Sequence, residues 1–175
     1  MAQMKVIGVA GYSGSGKTTL ISGLVKILTC YNIKTGTIKH THHSLDILPK
    51  NHISDALMNS GANEVMVTNN NNFVINRSVE GHERKTISDY IYVNSASDLF
   101  LVEGFKHQPF PKIEVWNGDS QPALLAAADP YIVAIAVKNK DHQKLPRNLC
   151  ITTLDLDDHH AIAKFICYYF GLTIQ

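Results

Sequence analysis

Gly11-Tyr12-Ser13-Gly14-Ser15-Gly16-Lys17-Thr18 is a complete G-x-x-x-x-G-K-T loop. The apolar run Val6-Ile7-Gly8-Val9-Ala10 precedes it, and a segment with helical rhythm begins near Thr18. Strand, glycine-rich turn and helix in that order make a Walker A loop, a phosphate site rather than a chance string. A triphosphate needs many donors held close together. Glycines at these positions let backbone N–H groups approach it without a side-chain clash. The following helix adds its positive N-terminal end. Backbone donors from Gly14 through Ser15 and Gly16 to Thr18 are expected to hold phosphates. Lys17 is expected to neutralise the outer phosphate, and the Thr18 hydroxyl to ligate Mg2+.

Working outward, Lys5 to Ala10 reads as a buried central strand, short, apolar and partly β-branched. From Thr18 to Cys30, Leu20, Leu24, Ile27 and Leu28 share one helical face, widened by Ile21 and Val25. A strand follows over Lys34 to Lys39, then a short helix from Ser54 stopped by Gly61. Glu64 to Val67 and Phe73 to Ile75 read as two strands around the turn Asn69 to Asn72, because Asn tolerates left-handed backbone geometry. Arg84 to Tyr92 is a candidate helix. Leu99 to Val102, Ile113 to Trp116 and Tyr131 to Val137 are further strands, and Asp157 to Tyr169 is a helix with an acidic start. Strands alternating with helices predict a layered α/β fold, a three-layer P-loop NTPase arrangement around a mostly parallel sheet. No linker or repeat divides the chain, so residues 1–175 read as a single nucleotide-binding domain.

The 16 basic and 15 acidic residues leave a net charge of +1, which gives no reason to expect nucleic acid. No apolar run reaches the length of a membrane span. The N-terminus lacks the ordered features of a signal peptide, so the expected location is cytoplasmic. Cys30, Cys150 and Cys167 are widely spaced and odd in number; they are expected to be reduced and mostly buried.

Glu103 ends the second strongly apolar strand and is the best acidic partner for the loop. It is placed to hold Mg2+ through water or to orient an attacking water; the competing reading is a structural salt bridge. Asp46 ends the polar segment just after the strand Lys34 to Lys39, Lys39-His40-Thr41-His42-His43-Ser44-Leu45-Asp46, and is a second candidate for Mg2+ or its water network. In an open α/β fold such a post-strand loop borders the ligand. The three histidines do not by themselves make a zinc site, since no further ligand spacing completes one. Asn139-Lys140-Asp141 invites comparison with the guanine-reading Asn-Lys-x-Asp pattern. Yet Asp141 comes one position early, and His142 stands where the Asp belongs. The base is not identified by this segment.

The combination of Gly11 to Thr19, Lys39 to His43, Gly61-Ala62 and Leu101 to His107 resembles the molybdopterin-guanine dinucleotide biosynthesis adapter (MobB) family. The resemblance implies that Gly11, Gly14, Gly16, Lys17, Thr18 and Thr19 bind GTP with Mg2+. It also implies a homodimer with weak GTP hydrolysis; by their positions, Lys17 and Glu103 are expected to carry what catalysis there is. Its partners would be a MobA-like guanylyltransferase and molybdopterin-bearing proteins. The family pattern continues with an Asp after the paired histidines and a Gly-Lys-Asp-Ser segment. This chain has Ser44, retains Asp46, and reads Asn51-His52-Ile53-Ser54 there. A small-molecule kinase and a noncatalytic, nucleotide-gated binding module are the alternatives that share this fold.

Overall fold

In a computed structural model of the protein, residues 4–40, 53–62, 64–69, 71–77, 86–91, 96–118, 123–147 and 149–174 are described. Along the chain run β1 (Val6–Ala10), α1 (Lys17–Cys30), β2 (Thr35–Lys39), α2 (Ile53–Asn59), β3 (Glu64–Thr68) and β4 (Phe73–Arg77). They are followed by β5 (Leu99–Glu103), β6 (Lys112–Trp116), β7 (Ile132–Val137), β8 (Thr152–Asp155) and α3 (His159–Phe170). The chain divides into two compact units, one of Met1–His40 with Thr86–Gln175 and one of Thr41–Lys85.

The larger unit is built on a six-stranded sheet in the order β2-β5-β1-β6-β7-β8, with every pairing parallel. Parallel strands need covered faces, which explains their near-continuous apolar sequences. Alternate residues separate the two faces. Ile7, Val9, Leu99, Leu101, Ile113, Val115, Ala134 and Ala136 pack with Leu20, Leu24 and Leu28 of α1 and Ile162 and Ile166 of α3. Each such leucine or isoleucine, taken out of water, contributes about 1.5–3 kcal/mol. On the opposite face Ala10, Trp116, Ile132, Ile135 and Val137 are covered by Leu145 and by Leu124, Leu125 and Ala126 of a short 3-10 segment. This is the expected α/β fold with helices flanking a mostly parallel sheet.

Local chemistry sets the element ends. Helix α3 starts where the Asp158 carboxylate accepts the Ala161 N–H at 2.9 Å, and stops at Gly171 in the left-handed region. In the smaller unit, β3 and β4 form an antiparallel pair. Asn69 Oδ1 accepts the N–H groups of Asn71 and Asn72 at 2.9 and 2.8 Å, which is the turn geometry expected of an asparagine run. The helix expected from Arg84 is instead a 3-10 turn over Ile87–Tyr90 among the described residues. Its Ile87 N–H is taken by the Gln108 side chain at 2.8 Å, outside any helix. Of the three cysteines only Cys167 is buried; Cys30 and Cys150 are exposed, correcting the expectation of mostly buried thiols.

Candidate functional site: the phosphate loop and the end of the fifth strand

Strand β1 lies between β5 and β6: the chain leaves β1 for β2 on one side, and later crosses from β5 to β6 on the other. Such a reversal opens a crevice at the C-terminal ends of the strands, where α/β proteins bind ligands. The Gly11–Gly16 turn sits there. Gly11 has φ 142°, and a Cβ on it would lie 2.5 Å from the Val115 carbonyl oxygen. Only glycine lets the chain pass so close to the end of β6. Gly16, with φ 100°, occupies the position before the first residue of α1 and turns the chain into the helix. The loop therefore delivers the N-terminus of a 14-residue helix to the crevice.

Side chains supply the rest. Ser15 Oγ is buried inside the loop with no hydrogen-bond partner among the described residues, a donor left over for an anion. Lys17 donates from Nζ to the Tyr12 carbonyl across the loop. Burial lowers the Lys17 pKa from 10.5; Glu103 opposes the shift, while Lys39 and Lys106 reinforce it by repulsion. Three cations and one carboxylate thus converge on the same crevice. Thr18 and Thr19 are both exposed at the start of α1.

Thr18 Oγ1 donates to Glu103 Oε2 at 2.9 Å. Lys39 Nζ donates to Thr18 Oγ1 at 3.2 Å and pairs with Glu103 Oε1 at 3.3 Å. The register of the sheet explains the trio, since Lys39 and Glu103 are partners across β2 and β5. Glu103 thus forms an ion pair with Lys39 and accepts from the Thr18 hydroxyl. Beside α1 a cavity of about 450 Å³ opens, lined by Thr18, Ser22, Lys39 and Glu103 above the apolar Ile21 and Val25. Asp98 sits at the other end of β5, where its carboxylate accepts the Lys34 N–H at 2.8 Å, away from the loop. The His40 N–H donates to the Glu103 carbonyl at 2.9 Å, and its ring packs 4.8 Å from that of Phe105. Asp46, His42, His43, Asn51 and His52 lie outside the described residues. Among the described residues no cluster of three His, Cys, Asp or Glu side chains could hold a metal ion. No described helix is long and apolar enough to cross a membrane.

A second feature lies at the same end of the sheet. Asn139-Lys140-Asp141 begins a 3-10 turn directly after β7, and Asp141 is fully buried. The near-match to a base-reading motif was the available signal; spacing alone argued against it.

The family model "Molybdopterin guanine dinucleotide synthesis protein B", MobB, matches residues 6–138. The chain is 32% identical over 168 residues to a molybdopterin-guanine dinucleotide biosynthesis adapter protein of Haemophilus influenzae, covering 94% of this chain and 88% of that one. It is 30% identical over 164 residues to the adapter protein of the same description from Escherichia coli, covering 92% and 90%. In three dimensions it is similar to Bacillus subtilis MobB, with a TM-score of 0.73 at 22% identity over 94% of this chain and 97% of that one. A MobB homolog from Bacillus stearothermophilus superposes with a TM-score of 0.71 at 22% identity, over 97% and 100% of the two chains.

Proposed function

The chain belongs to the MobB family, and on that premise we propose that it is a GTP-binding accessory protein in molybdopterin guanine dinucleotide synthesis. It assists a MobA-like guanylyltransferase in attaching GMP to molybdopterin. The observation that carries this reading is the meeting of Thr18, Glu103 and Lys39 beside the phosphate loop. A hydroxyl and a carboxylate 2.9 Å apart are hard oxygen donors of the kind that Mg2+ takes. The ammonium of Lys39 already bridges them, so the pair is arranged for a cation. Bound there, Mg2+ would neutralise phosphate charge. Lys17, released from the Tyr12 carbonyl, would meet the outer phosphate, with the Ser15 hydroxyl and the loop N–H groups around it.

Glu103 is engaged by Thr18 and Lys39, so it is poorly placed to act as a general base. Positioning and charge stabilisation remain, which fits slow hydrolysis in a protein whose output is a nucleotide-dependent interaction. The same reading includes a homodimer. In the smaller unit Val65 is buried, while Met66 and Phe73 on the other face of the hairpin are 56% and 65% exposed. A two-stranded hairpin with an open apolar face is marginal alone in water, and a second copy would cover it.

Titration calorimetry with GTP and Mg2+ tests the assignment. The wild-type protein should bind GTP, and Lys17→Ala should weaken it about 10- to 100-fold, the loss of charge-assisted bonds. Capture of a MobA-like guanylyltransferase should depend on GTP. Equal GTP affinity in the Lys17→Ala protein would defeat the reading.

A further inference from the structure

We infer that Asp141 is the residue that reads the base of the bound nucleotide, and that the base it selects is guanine. The inference rests on the reading that the Gly11–Gly16 loop holds a nucleoside triphosphate, and it adds the specificity element. The Asp141 side chain is 1% exposed. Its Oδ1 accepts from Lys144 Nζ at 2.6 Å. Its Oδ2 is buried and has no hydrogen-bond partner among the described residues. A carboxylate oxygen left buried and unpaired is costly, and such exceptions call for an explanation. The buried indole N–H of Trp116 is a second orphan among the described residues. Gly118 keeps space between them: a Cβ there would stand 3.1 Å from Trp116 Cη2, 3.3 Å from Asp141 Oδ1 and 2.8 Å from Lys144 Cδ.

The position suits a base whose phosphates rest on the loop. Ala10 at the end of β1 is in register with Glu114 of β6, and Trp116 of β6 with Val137 of β7. The phosphate loop and Asp141 therefore flank the end of β6 from its two sides. The strands they follow, β1 and β7, are two strand spacings apart, roughly 10 Å, a gap on the scale of a ribose and its first phosphate. Asn139 fastens this corner, its amide donating to Asp155 Oδ2 at 2.7 Å and tying the end of β7 to the end of β8.

The chemistry selects the base. Guanine presents a ring N–H and an adjacent exocyclic amine, two donors pointing the same way. A carboxylate accepts both, and gains from its charge. The corresponding edge of adenine sets an acceptor beside its amine, which a carboxylate repels. Lys144 is the removable cover. Its side chain is 45% exposed, and in a 3-10 turn residues three apart eclipse, which lays Lys144 over Asp141. The departure from Asn-Lys-x-Asp spacing follows from the same turn. His142, at the expected Asp position, is exposed and lies 3.4 Å from Thr153 Oγ1, while the carboxylate one residue earlier is the buried one.

Competition binding with Mg2+ and GTP, ITP, XTP or ATP tests this on the wild type and on Asp141→Asn. ITP lacks the exocyclic amine, so the wild type should prefer GTP over ITP by about tenfold and over ATP by more. Asp141→Asn should lose GTP by about 10- to 100-fold and gain XTP, whose carbonyl accepts from the new amide. A wild type that does not separate GTP from ITP overturns the inference without any variant having to fold. So does an Asp141→Asn protein that keeps its GTP preference over XTP. Failure of the phosphate-loop reading looks different: the wild type would bind none of the four, or binding would not respond to Lys17→Ala.

Discussion

Lys17 is held in the crevice at an electrostatic cost. Burial lowers its pKa from 10.5, and Lys39 and Lys106 push the same way against the pull of Glu103. Between the lowered value and 10.5 the unfolded chain keeps a proton that the folded chain has released, so stability from this group rises with pH across that window. Below the window the folded protein carries the whole penalty of a half-buried ammonium. Lys17→Met keeps the length and removes the charge. Without nucleotide it should melt above the wild type at pH 7, with the gap narrowing as pH approaches 10. Calorimetric melts across that range check the sign; a lower melting temperature at pH 7 would mean that the bond to the Tyr12 carbonyl outweighs desolvation. Residues of this kind divide sharply in legibility. Lys17, Thr18 and the loop glycines are contiguous, so the motif declares them. Glu103 was legible as the acidic end of an apolar strand, but its pairing with Lys39 depends on which strands become neighbours, and the burial of Asp141 on the pitch of a turn; counting along the chain shows neither.

At the scale of elements, α1 and α3 touch on one face of the sheet, and Gly23 of α1 lies against His159 of α3. A Cβ on Gly23 would lie 2.1 Å from His159 Nδ1 and 3.0 Å from its Cγ, so the root of the ring is in the way. Alanine is the better helix residue by about 1 kcal/mol, but overpacking of this kind costs about 1–3 kcal/mol. Gly23→Ala should therefore destabilise the wild type, and should stabilise a His159→Ala protein by about 1 kcal/mol. Urea denaturation of the four proteins in a double-mutant cycle measures the coupling; additive effects would show that the ring moves aside freely. The apolar runs announced β1, β5, β6 and β7, because strands covered on both faces have little choice of residue. Thr152-Thr153-Leu154-Asp155 gave no such signal: β8 is an edge strand, half-exposed, and needs only partial burial. The boundary of α3 moved because Asp158, not Asp157, supplies the cap.

For the whole molecule, the sheet places its chemistry along one edge. The phosphate loop follows β1, Glu103 ends β5, Lys39 ends β2, and Asp141 follows β7. All of these belong to the larger unit, whereas Met66 and Phe73 belong to the smaller one. Periodicity told that β3 and β4 would form strands, but an exposed apolar face does not itself name what covers it. Thr68 and Phe73 are partners across the hairpin, which puts Phe73 on the same face as Met66. If a second copy covers that face, a charge on it must be buried or the dimer must open. Met66→Asp with Phe73→Asp should then sediment as a monomer at concentrations where the wild type is a dimer. Its GTP affinity per protomer should be unchanged, because Lys17, Thr18 and Glu103 do not depend on the hairpin for their contacts. A double variant that still sediments as a dimer would place the interface elsewhere, and one that loses GTP together with the dimer would show that each nucleotide site is completed across the interface.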